Sequence, residues 1–404
     1  MEIGEGVNVA LAASAELKPW KLRAEILEVT FKNGILVSRD GSTVPLPHWE
    51  KGVDVSDEWT DAKLMGLPEK SNYSKRAAAL PIRGAPGATQ DVEVKLHIIE
   101  SENVSGQGKL KGTLGDLEVT GDSPLGAGEH VISARLQRLP DEIQWVRGDV
   151  EWSLIASSPE ATISVGSTPV EVFFVLGKPI KPFEEHGVWA EALRFLCAKA
   201  GVVGAKTDAR VAEQVTRYCH TGHGLHYDVQ DGAAAYGDRG NRFQLKKYLI
   251  RGEERCNCYD QASAIQVLCG ALGTQVEWRF LEPFGFIKPT NLVGVGMCNN
   301  PFFEYTQSDR FTMPYDPKRT SFNNHAFCRL GGQSLDACAG PHTGNETEAE
   351  YLEASIDTDP VVYRLALERL MAQYNVTEAV AAPHAPQCGR VDQVVGRPGV
   401  SSVY

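Results

Sequence analysis

Cys256-Asn-Cys-Tyr-Asp-Gln-Ala-Ser-Ala-Ile-Gln-Val-Leu-Cys-Gly-Ala-Leu-Gly273 is the stretch on which the fold and the function both turn. Ile265, Leu268, Cys269 and Leu272 recur at i, i+3, i+4 and i+7, the spacing of one helical face, and Gly273 can close that helix. Asn257 is a favoured N-cap type, which makes Cys258 the first helical residue. There the unpaired N–H groups and the positive end of the helix dipole favour a thiolate. Cys256 lies before the cap, and Cys269 falls on the apolar stripe, where a thiol is normally inert. Asp260 reads as a charge at the helix N-terminus rather than as a catalytic carboxylate.

A nucleophilic cysteine needs a base and a group that orients the base. Both are offered by Asn324-His-Ala-Phe-Cys-Arg-Leu-Gly-Gly-Gln-Ser-Leu-Asp-Ala-Cys338. Gly331-Gly332 is a two-residue hairpin signal that pairs Leu330 with Gln333, Cys328 with Leu335 and Ala326 with Ala337, all toward the core. The other face then carries Phe327 opposite Asp336 and His325 opposite Cys338, with His325 and Asp336 about 7 to 8 Å apart as diagonal neighbours. A Cys258-His325-Asp336 triad follows, in which the acid holds the imidazole and the imidazole deprotonates the thiol. Asp316 is a second candidate acid, but it precedes His325 and cannot be reached by the same hairpin.

These residues resemble the transglutaminase-like cysteine superfamily, whose pattern is a Cys with Asp two residues on and Ala four on, then a His on one strand and an Asp on the next. Cys258, Asp260 and Ala262, then His325 and Asp336, stand in that order. The passage Ala-Leu-Gly273 into a strand at 276–281, and an upstream helix over 208–219, are similar to the family's arrangement. The resemblance covers about residues 185 to 340. It implies an α+β, papain-like catalytic domain, a protein or peptide substrate and no cofactor. Because many microbial members hydrolyse, it favours a peptidase or amidase. A transglutaminase or glutamine deamidase would use the same three residues, and a non-catalytic binding or scaffold protein could keep the fold without the chemistry.

Upstream, period-two alternation such as Val92, Val94, Leu96, Ile98 and Val150, Trp152, Leu154 recurs at roughly ten-residue spacing. It predicts an N-terminal antiparallel β-sandwich-like domain over 76–178. Residues 1–75 read either as a small β-containing element or as a decoration of that sandwich. Gly177-Lys-Pro-Ile-Lys-Pro182 bars helix and central strand and marks a boundary. Beyond it Trp189, Leu193, Leu196, Cys197 and Ala200 share a helical face ahead of Gly201. The catalytic domain is expected over 183–380, with an extended tail over 381–404.

Length and composition agree with this division. The 404 residues suffice for two or three domains, and 42% hydrophobic with 23% charged residues is ordinary for a globular chain. A formal charge of −12 would repel a phosphate backbone, so nucleic acid is not expected as partner. No apolar run approaches the ~20 residues that span a bilayer, and the first residues lack the basic start of a secretory signal. The chain is expected to be cytoplasmic, or exported without a cleaved signal, an exported toxin being one form of the latter. Nine cysteines, none before Cys197, imply reduced thiols rather than a disulfide framework. No metal site is read from Cys219, His220, His223, His226 and Asp228, because Gly222 and Gly224 break the spacing that one helical face would need.

Overall fold

The alternation in the first half builds one large sheet. In the computed structural model, residues 19–39, 42–43, 47–57, 73–83, 89–228, 232–237, 241–281, 303–304, 307–311, 324–338, 341–355, 360–384 and 399–404 are described. Nine strands form the sheet: β1 (Lys21–Phe31), β2 (Trp49–Glu50), β3 (Ala78–Pro81), β4 (Gln90–Glu102), β5 (Gln107–Leu114), β6 (Leu117–Pro124), β7 (Gly128–Leu136), β8 (Gln144–Ser157) and β9 (Glu160–Val175). Their order is β2-β1-β4-β7-β6-β5-β8-β9-β3, and every neighbouring pair is antiparallel except the last.

The expected two-sheet sandwich is therefore corrected to a single curled sheet. Its hydrogen-bond ladder is unbroken, and β1 lies against β9 although five strands separate them in the order. Register shifts within β1 and at Trp152/Ser153 supply local bending. Val92, Val94, Leu96, Ile98, Leu110 and Leu154 face inward around one core. Alternation fixes which side of a strand is buried, but one curled sheet and two packed sheets bury the same residues. A glycine permits one close approach in the sheet: a Cβ on Gly112 would lie 2.6 Å from the Trp152 ring.

The second half is mixed. Helix α1 (Ala190–Ala198) buries Leu193, Leu196 and Cys197, and α2 (Asp208–Arg217) starts on a Thr207 cap and ends in a π-helical turn over Tyr218–Gly222. Short strands β10 (His226–Tyr227), β11 (Arg242–Phe243) and β12 (Arg255–Cys256) flank α3 (Leu245–Leu249) and lead into α4 (Cys258–Ala271). A second sheet follows in the order β13 (Glu277–Leu281), β14 (His325–Leu330), β15 (Gln333–Asp336), β16 (His342–Thr347), and then come α5 (Glu348–Ser355) and α6 (Pro360–Tyr374). The fold is thus mixed α and β, with the large antiparallel sheet N-terminal and the helices later.

One apolar core runs through the join. Val37, Phe173 and Val175 share it with Leu193, Val215, Ile265 and Leu268. Across the same join the Arg194 guanidinium grips Glu171 through Nε at 3.0 Å and Nη2 at 2.6 Å. Gly273, at φ +79°, closes α4 against Gly177, where a Cβ would come within 2.5 Å of the opposing backbone. The chain end also returns: β17 (Ser402–Val403) pairs in parallel with β11, and Val400 donates its N–H to Gln266 of α4 at 2.8 Å. No helix among the described residues is long and apolar enough to cross a membrane.

Candidate active site

Helix α4 begins at Cys258 because Asn257 caps it. The Asn257 side chain accepts from the Asp260 N–H at 3.1 Å, and Asp260 accepts from the Asn257 N–H at 3.1 Å, a reciprocal capping box. Asp260 also accepts N–H groups from Ala235, Tyr236 and Gly237 at 2.7 to 2.9 Å. Burial raises its pKa, and those backbone donors pull the other way. Asp260 is thus spent on clamping the 235–237 loop to the mouth of α4.

The hairpin turn forms at Gly331 and Gly332, whose φ of +58° and +90° suit glycine in a two-residue turn. Cys328 pairs with Leu335 and Leu330 with Gln333. The ladder then stops. The expected pairs Ala326–Ala337, Phe327–Asp336 and His325–Cys338 are absent from it, and Asp336 pairs instead with His342 on β16. The Asp336 side chain accepts the Cys338 N–H at 2.6 Å, which turns the backbone out of the strand.

Leaving the ladder does not separate the candidate residues. His325 Nε2 lies 2.7 Å from Asp336 Oδ2, and the Cys258 side chain is near enough to act on the His325 ring. Cys258, His325 and Asp336 are 3%, 0% and 1% exposed. Burial disfavours charge on the His325 ring, but the Asp336 carboxylate, with help from Cys258, holds its pKa up at about 10. Burial likewise pushes Asp336 up, and the His325 charge, aided by His342 and Tyr351, outweighs it and brings the carboxyl down to about 2. Both shifts favour an imidazolium facing the Asp336 carboxylate, with the Cys258 sulfur near by. Asp316 lies outside the described residues.

Three neighbours carry no sequence signal that tied them to this site. Burial drives the phenol pKa of Tyr227, on β10, far up, and the nearby Cys258 pushes it the same way. The Tyr351 hydroxyl on α5 donates to Asp336 Oδ2 at 2.7 Å. His220 Nδ1 sits 2.8 Å from the Ala337 carbonyl, which can only accept, so this ring nitrogen carries the proton and braces the residue after Asp336. Their partners lie 31, 15 and 117 positions away, beyond any local pattern.

A cavity of about 800 Å³ is lined by Asn257 and Tyr259, the residues on either side of Cys258, and by Ser263, Trp278, Arg242 and Val400, among others; Cys258 and His325 are not part of its lining. Tyr259 donates to Asn324, next to His325, at 3.0 Å, and its ring meets those of Trp278 and Phe280. The returning chain end thus forms one wall of this cavity. His223 Nε2 meets the Tyr248 carbonyl at 2.7 Å, so His220 and His223 serve different backbone groups. Among the described residues no three His, Cys, Asp or Glu side chains converge to hold a metal ion.

Comparison with known proteins adds a structural likeness. No protein-family model matches the chain, and no curated protein matches it. Among solved structures it is similar to red sea bream transglutaminase, at 12% sequence identity and a TM-score of 0.36, over 76% of this chain and 58% of that one. The chain therefore spans less than two thirds of the length of that protein.

Proposed function

We propose that this chain is a cysteine-dependent amide hydrolase of the transglutaminase-like type, a peptidase or amidase. The observation that carries the reading is the buried His325 ring, 2.7 Å from Asp336 Oδ2, with the Cys258 side chain near enough to act on it. The Cys258 thiolate attacks an amide carbonyl carbon, and the carbonyl electrons move to oxygen. The backbone N–H of Cys258 at the helix mouth is one donor for that oxyanion, and the Tyr227 hydroxyl, which acts on the same cysteine, is assigned here as the second.

The intermediate collapses as the C–N bond breaks, and the His325 imidazolium gives its proton to the leaving amine. A thioester remains on Cys258. Water, deprotonated by the now neutral His325, attacks it, releasing a carboxylic acid and restoring the thiolate and imidazolium. Asp336 stays ionised throughout and holds the ring.

Mass spectrometry of a proteome incubated with the wild type or with Cys258→Ala tests this. New peptide termini, or new carboxylates on small amides, made only by the wild type are expected. Amine cross-links would replace hydrolysis by transamidation, and a gain of about 1 Da on glutamine would mean deamidation, each through the same thioester. Identical product sets from the two proteins would overturn the reading in favour of a scaffold.

A further inference from the structure

We propose that Tyr351 is a fourth, positioning member of the site, which sets the proton affinity of His325 through Asp336; the proposal rests on the catalytic reading above. The two oxygens of Asp336 have separate duties. Oδ1 accepts the Cys338 N–H at 2.6 Å and so fixes the rotation of the carboxylate. Oδ2 lies 2.7 Å from both His325 Nε2 and the Tyr351 hydroxyl. Two proton donors therefore share one oxygen, and what one takes of its negative charge the other loses.

Tyr351 is fully buried, so its hydroxyl needs a partner, and Asp336 is that partner. Its ring is seated between Phe327 at 4.9 Å and the edge of His342 at 4.7 Å. Phe327 is two residues beyond His325 on β14, and His342 on β16 pairs with Asp336 of β15, so the strand that carries the base and the strand paired with the acid also hold the tyrosine. The other charged or titratable groups around Asp336 are Cys258 of α4, Cys328 of β14, Cys338, His220 of the π-helical turn and His342, whose Nδ1 is 2.8 Å from Glu346. Of all these, Tyr351 and His325 are the side chains whose hydrogen bonds meet on Oδ2.

The consequence has a definite sign. A donor on Oδ2 draws off part of the charge that would stabilise the imidazolium. With Tyr351 present, His325 releases its proton more readily and is the stronger acid toward a leaving amine. Without the hydroxyl, the carboxylate acts on the ring alone, and the imidazolium persists to higher pH.

The test is nitrogen NMR of the full chain with labelled histidine, the His325 signal being assigned by its loss in His325→Gln. Tyr351→Phe is expected to raise the His325 midpoint by roughly half to one pH unit. Phe327→Leu, which loosens the seat of Tyr351 but leaves its hydroxyl, should lower Tm and leave the midpoint in place. An unchanged or lowered midpoint in a folded Tyr351→Phe overturns the proposal. If that variant does not fold, the wild type with ring-labelled tyrosine decides: a phenol carbon signal must move as His325 titrates, and none doing so is equally fatal. A shifted midpoint in a protein that yields no Cys258-dependent product would sink the hydrolase reading while leaving the Tyr351 coupling intact.

Discussion

Among the described residues two acid–base pairs are buried, one at the join between the two halves and one at the mouth of α4. Glu171 and Arg194 are 1% and 0% exposed in their side chains, as Asp336 and His325 are, and their closest contacts are 2.6 Å and 2.7 Å. What differs is the rest of each environment. Glu171 receives two guanidinium bonds and the Trp145 N–H, and Arg194 also reaches the Ser74 carbonyl at 3.0 Å. An arginine never surrenders its proton in a protein, so that pair can only hold β9 to α1. An imidazole can give up its proton, and the Cys258 sulfur lies near that ring. Burial and short distances are common to both pairs; a movable proton near a sulfur belongs to the proposed site alone.

Substitutions at each pair should break this comparison in opposite ways. The largest effect is expected from Asp336→Asn, which preserves shape but lets the ring take the wrong tautomer: product formation should fall by about 10³- to 10⁴-fold, with folding retained. A variant with near wild-type turnover would place the orienting acid elsewhere. Arg194→Met should do the reverse, leaving an unpaired Glu171 in the interior and costing about 3 to 5 kcal/mol in urea unfolding. A stability loss below about 1 kcal/mol would show that the join does not depend on this pair.

The pH dependence of stability sharpens the contrast with a smaller effect. His325 is raised from 6.5 to about 10 on folding, so its contribution is fully present below pH 6.5 and is lost as pH rises toward 10. Asp336 is lowered from 3.8 to about 2, so its contribution is present above pH 3.8 and is lost as pH falls toward 2. Stability from this pair should be greatest between those limits. The alkaline arm should slope by at most about 1.4 kcal/mol per pH unit, the value for one proton. His325→Gln should flatten that arm in a urea series from pH 6.5 to 10, and Arg194→Met should not. An unchanged slope in His325→Gln would assign it to other groups.

The readable parts of the chain are those where partners are near in sequence. Asn257 and Asp260 cap one another over three residues, and Gly331-Gly332 joins strands that begin at the next residue on either side. The curl of the nine-stranded sheet was not readable, because alternation reports a buried face and not which strand lies across the core. Past Leu335 the hairpin departed from its ideal ladder because the Asp336 side chain captured the Cys338 N–H, a competition that a strand pattern does not record. The chain end reads as aperiodic, yet Val400 is 5% exposed, because its bonding partners lie more than 130 residues upstream.

By itself the sequence determined that a cysteine would open a capped helix and that a glycine turn would hold a histidine and an aspartate on adjoining strands, since caps and turns act through local backbone geometry. Only the tertiary structure decided that the sulfur, the ring and the acid meet, and that Tyr227, Tyr351 and His220 close around them. Those contacts form when distant elements bury their apolar faces together, and packing selects partners by position in space rather than along the chain.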